Sequence, residues 1–294
     1  MMNRRQSMGS LVGGAAAAAL ATVFAQGVRA AEAAAGGKGK FRHSVCRWGF
    51  NRIPFDAFCR EAKTMGIESV ELLAPKEWEA ARKNGMTCAM GMIPPRNGIG
   101  GIPKAFNRVE HHDTLFALYS ESIEQAAKAG VPNIVIFSGN RDGMDEETGL
   151  KNCAEGLKRL MPVAEKHGVT LAMELLNSKV DHKDYMCDHT EWGAALVDKV
   201  GSERFKLLYD IYHMQIMEGD VIATFTKHKD RICHFHTAGV PGRNEIDDTQ
   251  ELNYRGIAKA LADMGYTGYL AQEFKPKRKD PLVALKEAIE ICTV

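Results

Sequence analysis

After residue 41 the chain alternates, eight times over, between a short apolar run and a stretch of helical periodicity. The apolar runs fall at 43–47, 69–74, 87–93, 133–138, 169–176, 205–211, 232–237 and 268–274. Amphipathic stretches lie between them at 55–65, 115–129, 156–166, 192–200, 221–228 and 254–264, and Pro281 starts a final helix at 282–291 with Asp280 as its N-cap. Six stretches stop at Gly before the next run, at Gly66, Gly85, Gly130, Gly168, Gly201 and Gly265. Such alternation is the sequence form of βα units, whose strands pair in parallel. Eight of them predict a (β/α)8 barrel, and 294 residues fit one barrel better than two average domains. An open doubly wound sheet is the alternative, but no GxGxxG or Walker loop follows the first run. No linker divides residues 41–294, which read as a single catalytic domain. The longest irregular stretch, 94–112, follows the third strand and is a candidate lid. Its Gly-rich part, 98–101, lacks the context of a phosphate cradle.

In a parallel barrel the strand ends meet on one rim, so residues distant in sequence converge there. Four polar side chains stand near the ends of apolar runs: Glu174 in LAMELLN, Asp210 in KLLYDIYH, His236 in ICHFHTAG and Glu273 in YLAQEF. A carboxylate in an apolar strand is costly unless it is paired or binds a metal. His234 and His236 share a strand face. His236 lies nearer the carboxyl end and is the chosen ligand, leaving His234 to deeper packing or support. Two Glu, one Asp and one His form an oxygen-rich site for a divalent metal, Mn²⁺ first, with Mg²⁺ or Co²⁺ as alternatives. A hard cation on the vicinal oxygens of an α-hydroxy carbonyl acidifies the carbon-bound proton and stabilises the enediolate. Glu174 and Glu273 are then the catalytic pair that removes and returns the proton. His213, three residues past Asp210, and Arg243, in the loop after the His236 strand, are candidate substrate-binding groups for hydroxyl, carbonyl or carboxylate oxygens.

The first forty residues follow another pattern. Arg4-Arg5 precedes an Ala-rich segment at 11–28, and Arg29-Ala30-Ala31 offers a small-residue cleavage site. Residues 1–31 therefore read as a twin-arginine export signal, 32–40 as a flexible linker, and the expected location is the periplasm. The segment is poor in Leu and Ile and would span a bilayer badly, so no stable membrane span is expected after processing. Seven cysteines form no CxxC pair and sit mostly in strand or helix patterns, as buried reduced residues. With 38 basic and 37 acidic residues, net charge +1 gives no reason to expect nucleic acid. The expected partner is a small hydroxy-carbonyl compound or sugar; a homo-oligomer is left open.

Several segments carry a likeness as well as a pattern. MELLNSKVDH (173–182), LLYDIYHMQIMEGD (207–220), HFHTAGVPGRNE (234–245), ELNYRGIAKAL (251–261) and AQEFKP (271–276) strongly resemble the hydroxypyruvate isomerase family, one of the xylose isomerase-like TIM barrels. The likeness covers about residues 41–290, is dense from 105 onward, and includes FNRVEHHD and FSGNRDGM. It implies metal-assisted proton transfer between adjacent carbons, with Glu174 and Glu273 as acid–base pair and ligands and with Asp210 and the strand-seven residue completing the set. Two positions depart from it. Hydroxypyruvate isomerases carry Gln at strand seven, where this chain has His236, as the ketose 3-epimerases do. Those epimerases also place a substrate-contacting Glu six residues after the first catalytic Glu, and here that residue is Val180.

Four other functions use a similar barrel. A ketose 3-epimerase shares the acid–base pair, and a lyase resembling inosose dehydratase would use it to expel water. A non-catalytic sugar-binding barrel would not need two carboxylates around one cation. A nuclease resembling endonuclease IV would need three metals and a basic groove.

Overall fold

The computed structural model describes residues 41–294; the expected export signal and linker lie outside these residues. Eight strands and nine α-helices are described. The strands are β1 (Arg42–Cys46), β2 (Ile67–Glu71), β3 (Gly91–Met92), β4 (Asn133–Ile136), β5 (Thr170–Glu174), β6 (Phe205–Asp210), β7 (Ile232–Thr237) and β8 (Tyr269–Gln272). They pair in parallel in the order β2-β1-β8-β7-β6-β5-β4-β3. Two parallel bridges, Ser69 with Thr87 and Leu73 with Gly91, close the remaining seam. The expected (β/α)8 barrel is therefore the observed one.

The helices form the outer ring: α1 (Phe55–Thr64), α2 (Pro75–Lys83), α3 (His112–Ala129), α4 (Glu146–His167), α5 (Thr190–Val200), α6 (Ile211–Met217), α7 (Val221–Lys227), α8 (Tyr254–Asp263) and α9 (Pro281–Cys292). Strand parity sorts side chains between ring and interior. Tyr209 and Phe235 point outward and meet Phe225 of α7, with centroids 6.0 and 5.5 Å away. Burying one such ring contributes about 1.5–3 kcal/mol. The neighbours of opposite parity, Asp210, His234 and His236, then face the barrel axis, and all three are buried. The apolar outer face of β6 and β7 thus sets the direction of their polar residues.

Two helices depart from the sequence reading, and one is longer than expected. Pro75 begins α2, and the Glu77 carboxylate accepts the Ala74 N–H at 2.9 Å. The short α6 follows β6 without a loop because Asp210 caps it, taking the Tyr212 N–H at 2.8 Å. The α4 helix starts ten residues before the periodic stretch, where Asp145 accepts the Thr148 N–H at 2.8 Å. Gly149 obscures that start in the sequence, and packing requires it: a Cβ there would lie 2.0 Å from Met186 Sδ. Gly130 and Gly168 end α3 and α4 with φ of 75° and 70°, as a left-handed C-cap requires. The stretch 94–112 folds into two tight turns at 96–104, and Phe106 and Asn107 beyond them are buried. No described helix is long and apolar enough to cross a membrane.

Candidate active site

The last residues of β5 and β6 are Glu174 and Asp210, His236 is the penultimate residue of β7, and Glu273 directly follows β8. Ladder register places Asp210 beside His236. One donor atom from each of these four residues lies within 4.8 Å of the other three, and all four side chains are buried. The four residues singled out in the sequence are thus brought together at the C-terminal rim of the barrel.

The site is densely bonded around Glu273, while Glu174 and Asp210 each keep a buried oxygen without a hydrogen bond. Glu273 Oε1 accepts the Trp48 indole N–H at 2.8 Å, while its Oε2 takes His236 Nδ1 and Arg243, each at 2.8 Å. Burial alone would raise the Glu273 carboxyl, but Arg243 and His236 override it and hold it well below the usual range. Glu174 Oε1 is 3.5 Å from His236 Nδ1 and has no hydrogen-bond partner. Asp210 Oδ1 is used as the α6 cap, while Oδ2, also without a hydrogen bond, points toward Arg243 and His213 at 3.5 Å. Burial pushes the Asp210 carboxyl up to about 8 against the pull of Arg243. Burial would lower His236, but the anions around it, Glu273 among them, raise it well above its ordinary value.

Unpaired buried carboxylate oxygens are rare because their desolvation is costly. Two of them in one shell with a third carboxylate and an imidazole nitrogen fit a divalent cation. Glu174, Asp210, His236 Nδ1 and Glu273 would hold it.

The two predicted substrate-binding residues face the same space. His213, in α6, takes the Asn177 backbone N–H on Nδ1 at 3.1 Å, so the hydrogen of its neutral ring is on Nε2. Burial keeps the ring neutral by lowering it well below its ordinary value. That Nε2–H has no hydrogen-bond acceptor among the described residues and is free to donate to an oxygen in the site. Arg243 sits in the loop after β7 with φ of 58°, and its guanidinium lies over Trp48 and Tyr212 at 5.2 and 5.5 Å. Its backbone carbonyl accepts the Lys275 N–H at 2.7 Å, tying this loop to the one that follows Glu273.

Sequence reasoning passed over three groups. Trp48 holds Glu273 across a separation of 225 residues, and no local signal marks it. Asn177 orients His213 and, through Oδ1, accepts the N–H groups of Val180 and Asp181 at 2.9 Å. Glu71, at the end of β2, lies 2.7 Å from His234 Nε2 and 3.4 Å from His236 Nε2. Its signal was an acid in the apolar run Ser69-Val70-Glu71-Leu72-Leu73, the same signal that marks Glu174.

Comparison with known proteins agrees with this architecture. Residues 59–293 match the model of the xylose isomerase-like TIM barrel family. The chain is 33% identical over 241 residues to hydroxypyruvate isomerase of Escherichia coli (strain K12), covering 78% of this chain and 90% of that one. It is 28% identical over 225 residues to 2-oxo-tetronate isomerase of Cupriavidus necator, covering 72% of this chain and 84% of that one. Among solved structures, a family 2 AP endonuclease from Brucella melitensis superposes with a TM-score of 0.75 at 24% identity, over 84% of this chain and 97% of that one. At that identity the superposition speaks for the fold alone. By the family match and the isomerase relatives, the chain belongs to the xylose isomerase-like TIM barrel family and is an enzyme of the isomerase class.

Proposed function

We propose that this protein is a divalent-metal-assisted isomerase that moves a carbonyl between adjacent carbons of a small hydroxy-carbonyl acid, hydroxypyruvate or a 2-oxo-tetronate. The observation that carries the reading is the convergence of three carboxylates and one imidazole nitrogen within 4.8 Å at the ends of four neighbouring strands. Mn²⁺ is the preferred ion, and a bound cation would acidify the substrate C–H beside the carbonyl.

The chain's own residues do the rest. Glu174, with an oxygen that no hydrogen bond occupies, takes the proton from the hydroxyl-bearing carbon. The electron pair of that C–H bond becomes the double bond of an enediolate. Glu273 takes the hydroxyl proton of that carbon as the new carbonyl forms and delivers it to the adjacent carbon as the new C–H bond. The proton held by Glu174 passes to the former carbonyl oxygen, so both carboxylates end as they began. For hydroxypyruvate the product is tartronate semialdehyde. The Trp48 indole N–H and the Arg243 guanidinium keep Glu273 ionised until substrate arrives. The His213 Nε2–H and the Arg243 guanidinium bind the oxygens on which negative charge develops. Trp48 and Tyr212 flank Arg243 and exclude water from that side.

The same pair would also serve a 3-epimerase. Val180, where those enzymes resemble this chain except for their Glu, is 63% exposed and has no polar group to offer a substrate. That favours isomerisation. We further propose that residues 1–31 direct export and are removed.

The test is a panel of hydroxypyruvate, tartronate semialdehyde, 2-oxo-tetronate and ketoses in deuterated water, with and without Mn²⁺. The reading expects Mn²⁺-dependent interconversion of a carboxylate-bearing pair, with deuterium at the carbon next to the carbonyl. Turnover of ketoses alone makes the protein an epimerase, and no exchange into any substrate overturns the proposal.

A further inference from the structure

We propose that Glu71 is a positioning residue that holds the Nε2–H of His236 and so presents the Nδ1 lone pair to Glu174, Asp210 and Glu273. The inference rests on the reading of those residues as a cation site. The two nitrogens of His236 face opposite ways. Nδ1 is 2.8 Å from Glu273 and 3.5 Å from Glu174, whereas Nε2 is 3.4 Å from Glu71 Oε2 and 3.9 Å from Cys46 Sγ. An imidazole can give a lone pair from one nitrogen only while the other keeps its hydrogen. Without a cation Glu273 can accept from Nδ1 as Glu71 can from Nε2. With a cation among the rim carboxylates Nδ1 would face it, and Glu71, which can only accept, would fix the ring's one hydrogen on Nε2. The lone pair then belongs to Nδ1, on the side of the three rim carboxylates.

Glu71 is itself held in place. Its side chain is fully buried beneath the rim, and His234, one step deeper on the same face of β7, donates to the same oxygen at 2.7 Å. Ladder register sets Cys46 beside it on the other flank. The two imidazoles thus share one carboxylate oxygen, His234 anchoring it and His236 reading it. Such outer carboxylates orient ligating histidines and raise their basicity, and losing one weakens metal binding about 10–100-fold. A purely structural Glu71, present to pair with His234, would affect folding without selecting the nitrogen of His236.

The experiment follows the ring nitrogens directly. Full-length protein carrying ¹⁵N-histidine is loaded with Zn²⁺ and its two-bond ¹H–¹⁵N correlations recorded, His236 being assigned by its loss in His236→Gln. The unchanged chain is expected to show His236 metal-ligated through Nδ1 and protonated on Nε2. Ligation through Nε2 overturns the inference, whatever any variant does. Glu71→Gln offers an amide hydrogen as readily as an oxygen. It is expected to bind Zn²⁺ about 10–100-fold more weakly by calorimetry and to show mixed His236 tautomers. Equal affinity with an unchanged tautomer overturns the role of Glu71 while leaving the cation site standing. If the unchanged chain binds neither Zn²⁺ nor Mn²⁺, both the cation site and the inference built on it fall.

Discussion

The two halves of the barrel divide the work unequally. Strands β5 to β8 deliver Glu174, Asp210, His236 and Glu273 to the rim on consecutive strands, held by continuous parallel ladders. Strands β1 to β4 deliver none of that set. Their seam between β2 and β3 is closed by two isolated bridges, and β3 is two residues long. What this half supplies stands behind the rim: Trp48 on Glu273, Glu71 under His236, and a buried loop around Phe106. A four-ligand set tolerates little displacement, so it occupies the regular half of the sheet, whereas single supporting contacts can come from its irregular seam.

The sharpest way to break this division is to remove the proton chemistry from the ligand half while keeping its shape. Glu174→Gln and Glu273→Gln should each slow solvent-deuterium exchange into an active substrate by about 10²–10⁴-fold. Near wild-type exchange in folded, metal-loaded variants would make both residues structural.

Arg243→Ala removes the cation that contacts both Glu273 and Asp210. Breaking a buried pair in this way should cost about 3 kcal/mol in denaturant unfolding of the metal-free protein. It should also raise the Glu273 carboxyl toward its ordinary range. A loss under about 1 kcal/mol would mean that the pair is solvated.

Acidity separates the halves further. In the metal-free site Asp210 titrates at about 8, and His236 is raised well above its ordinary value. Both give up protons when a cation binds, so affinity should climb with pH, by about tenfold per unit for each proton released, and level off above pH 8 for the Asp210 share. The sign for folding is opposite. A carboxyl whose folded value lies above its unfolded one favours the native state below that unfolded value, and loses this contribution as pH rises to about 8. Metal titrations from pH 6 to 9 and metal-free unfolding over the same range check both directions.

The smallest effect should come from the supporting half. Ile134→Val in β4, a fully buried position, should cost about 0.5–1.5 kcal/mol by the lost methylene and leave metal affinity unchanged. A fall in affinity would show that the halves are mechanically coupled.

Much of this division can be read from the chain, and what cannot has a physical cause. An acid inside an apolar run identifies Glu174, Asp210 and Glu273, because burying a lone carboxylate without a partner is too costly to occur by accident. Glu71 carries the same mark, but sequence parity gives the facing direction of a side chain and not its depth. It therefore cannot tell an acid on the rim from one supporting it below. The α6 helix was hidden because Asp210-Ile211-Tyr212-His213-Met214 is apolar without a clear period, and only the cap made by Asp210 starts the helix. The tautomers of His213 and His236 depend on Asn177 and Glu71, 36 and 165 residues away, so no local pattern records them.

The central claim is that four strand ends make one cation site, and Mn²⁺ titration of the metal-free chain, followed by electron paramagnetic resonance and calorimetry, tests it most directly. The account predicts one ion per chain in the unchanged protein and a loss of tight binding in Asp210→Ala. Binding without stoichiometry, or tight binding that Asp210→Ala leaves intact, would contradict it.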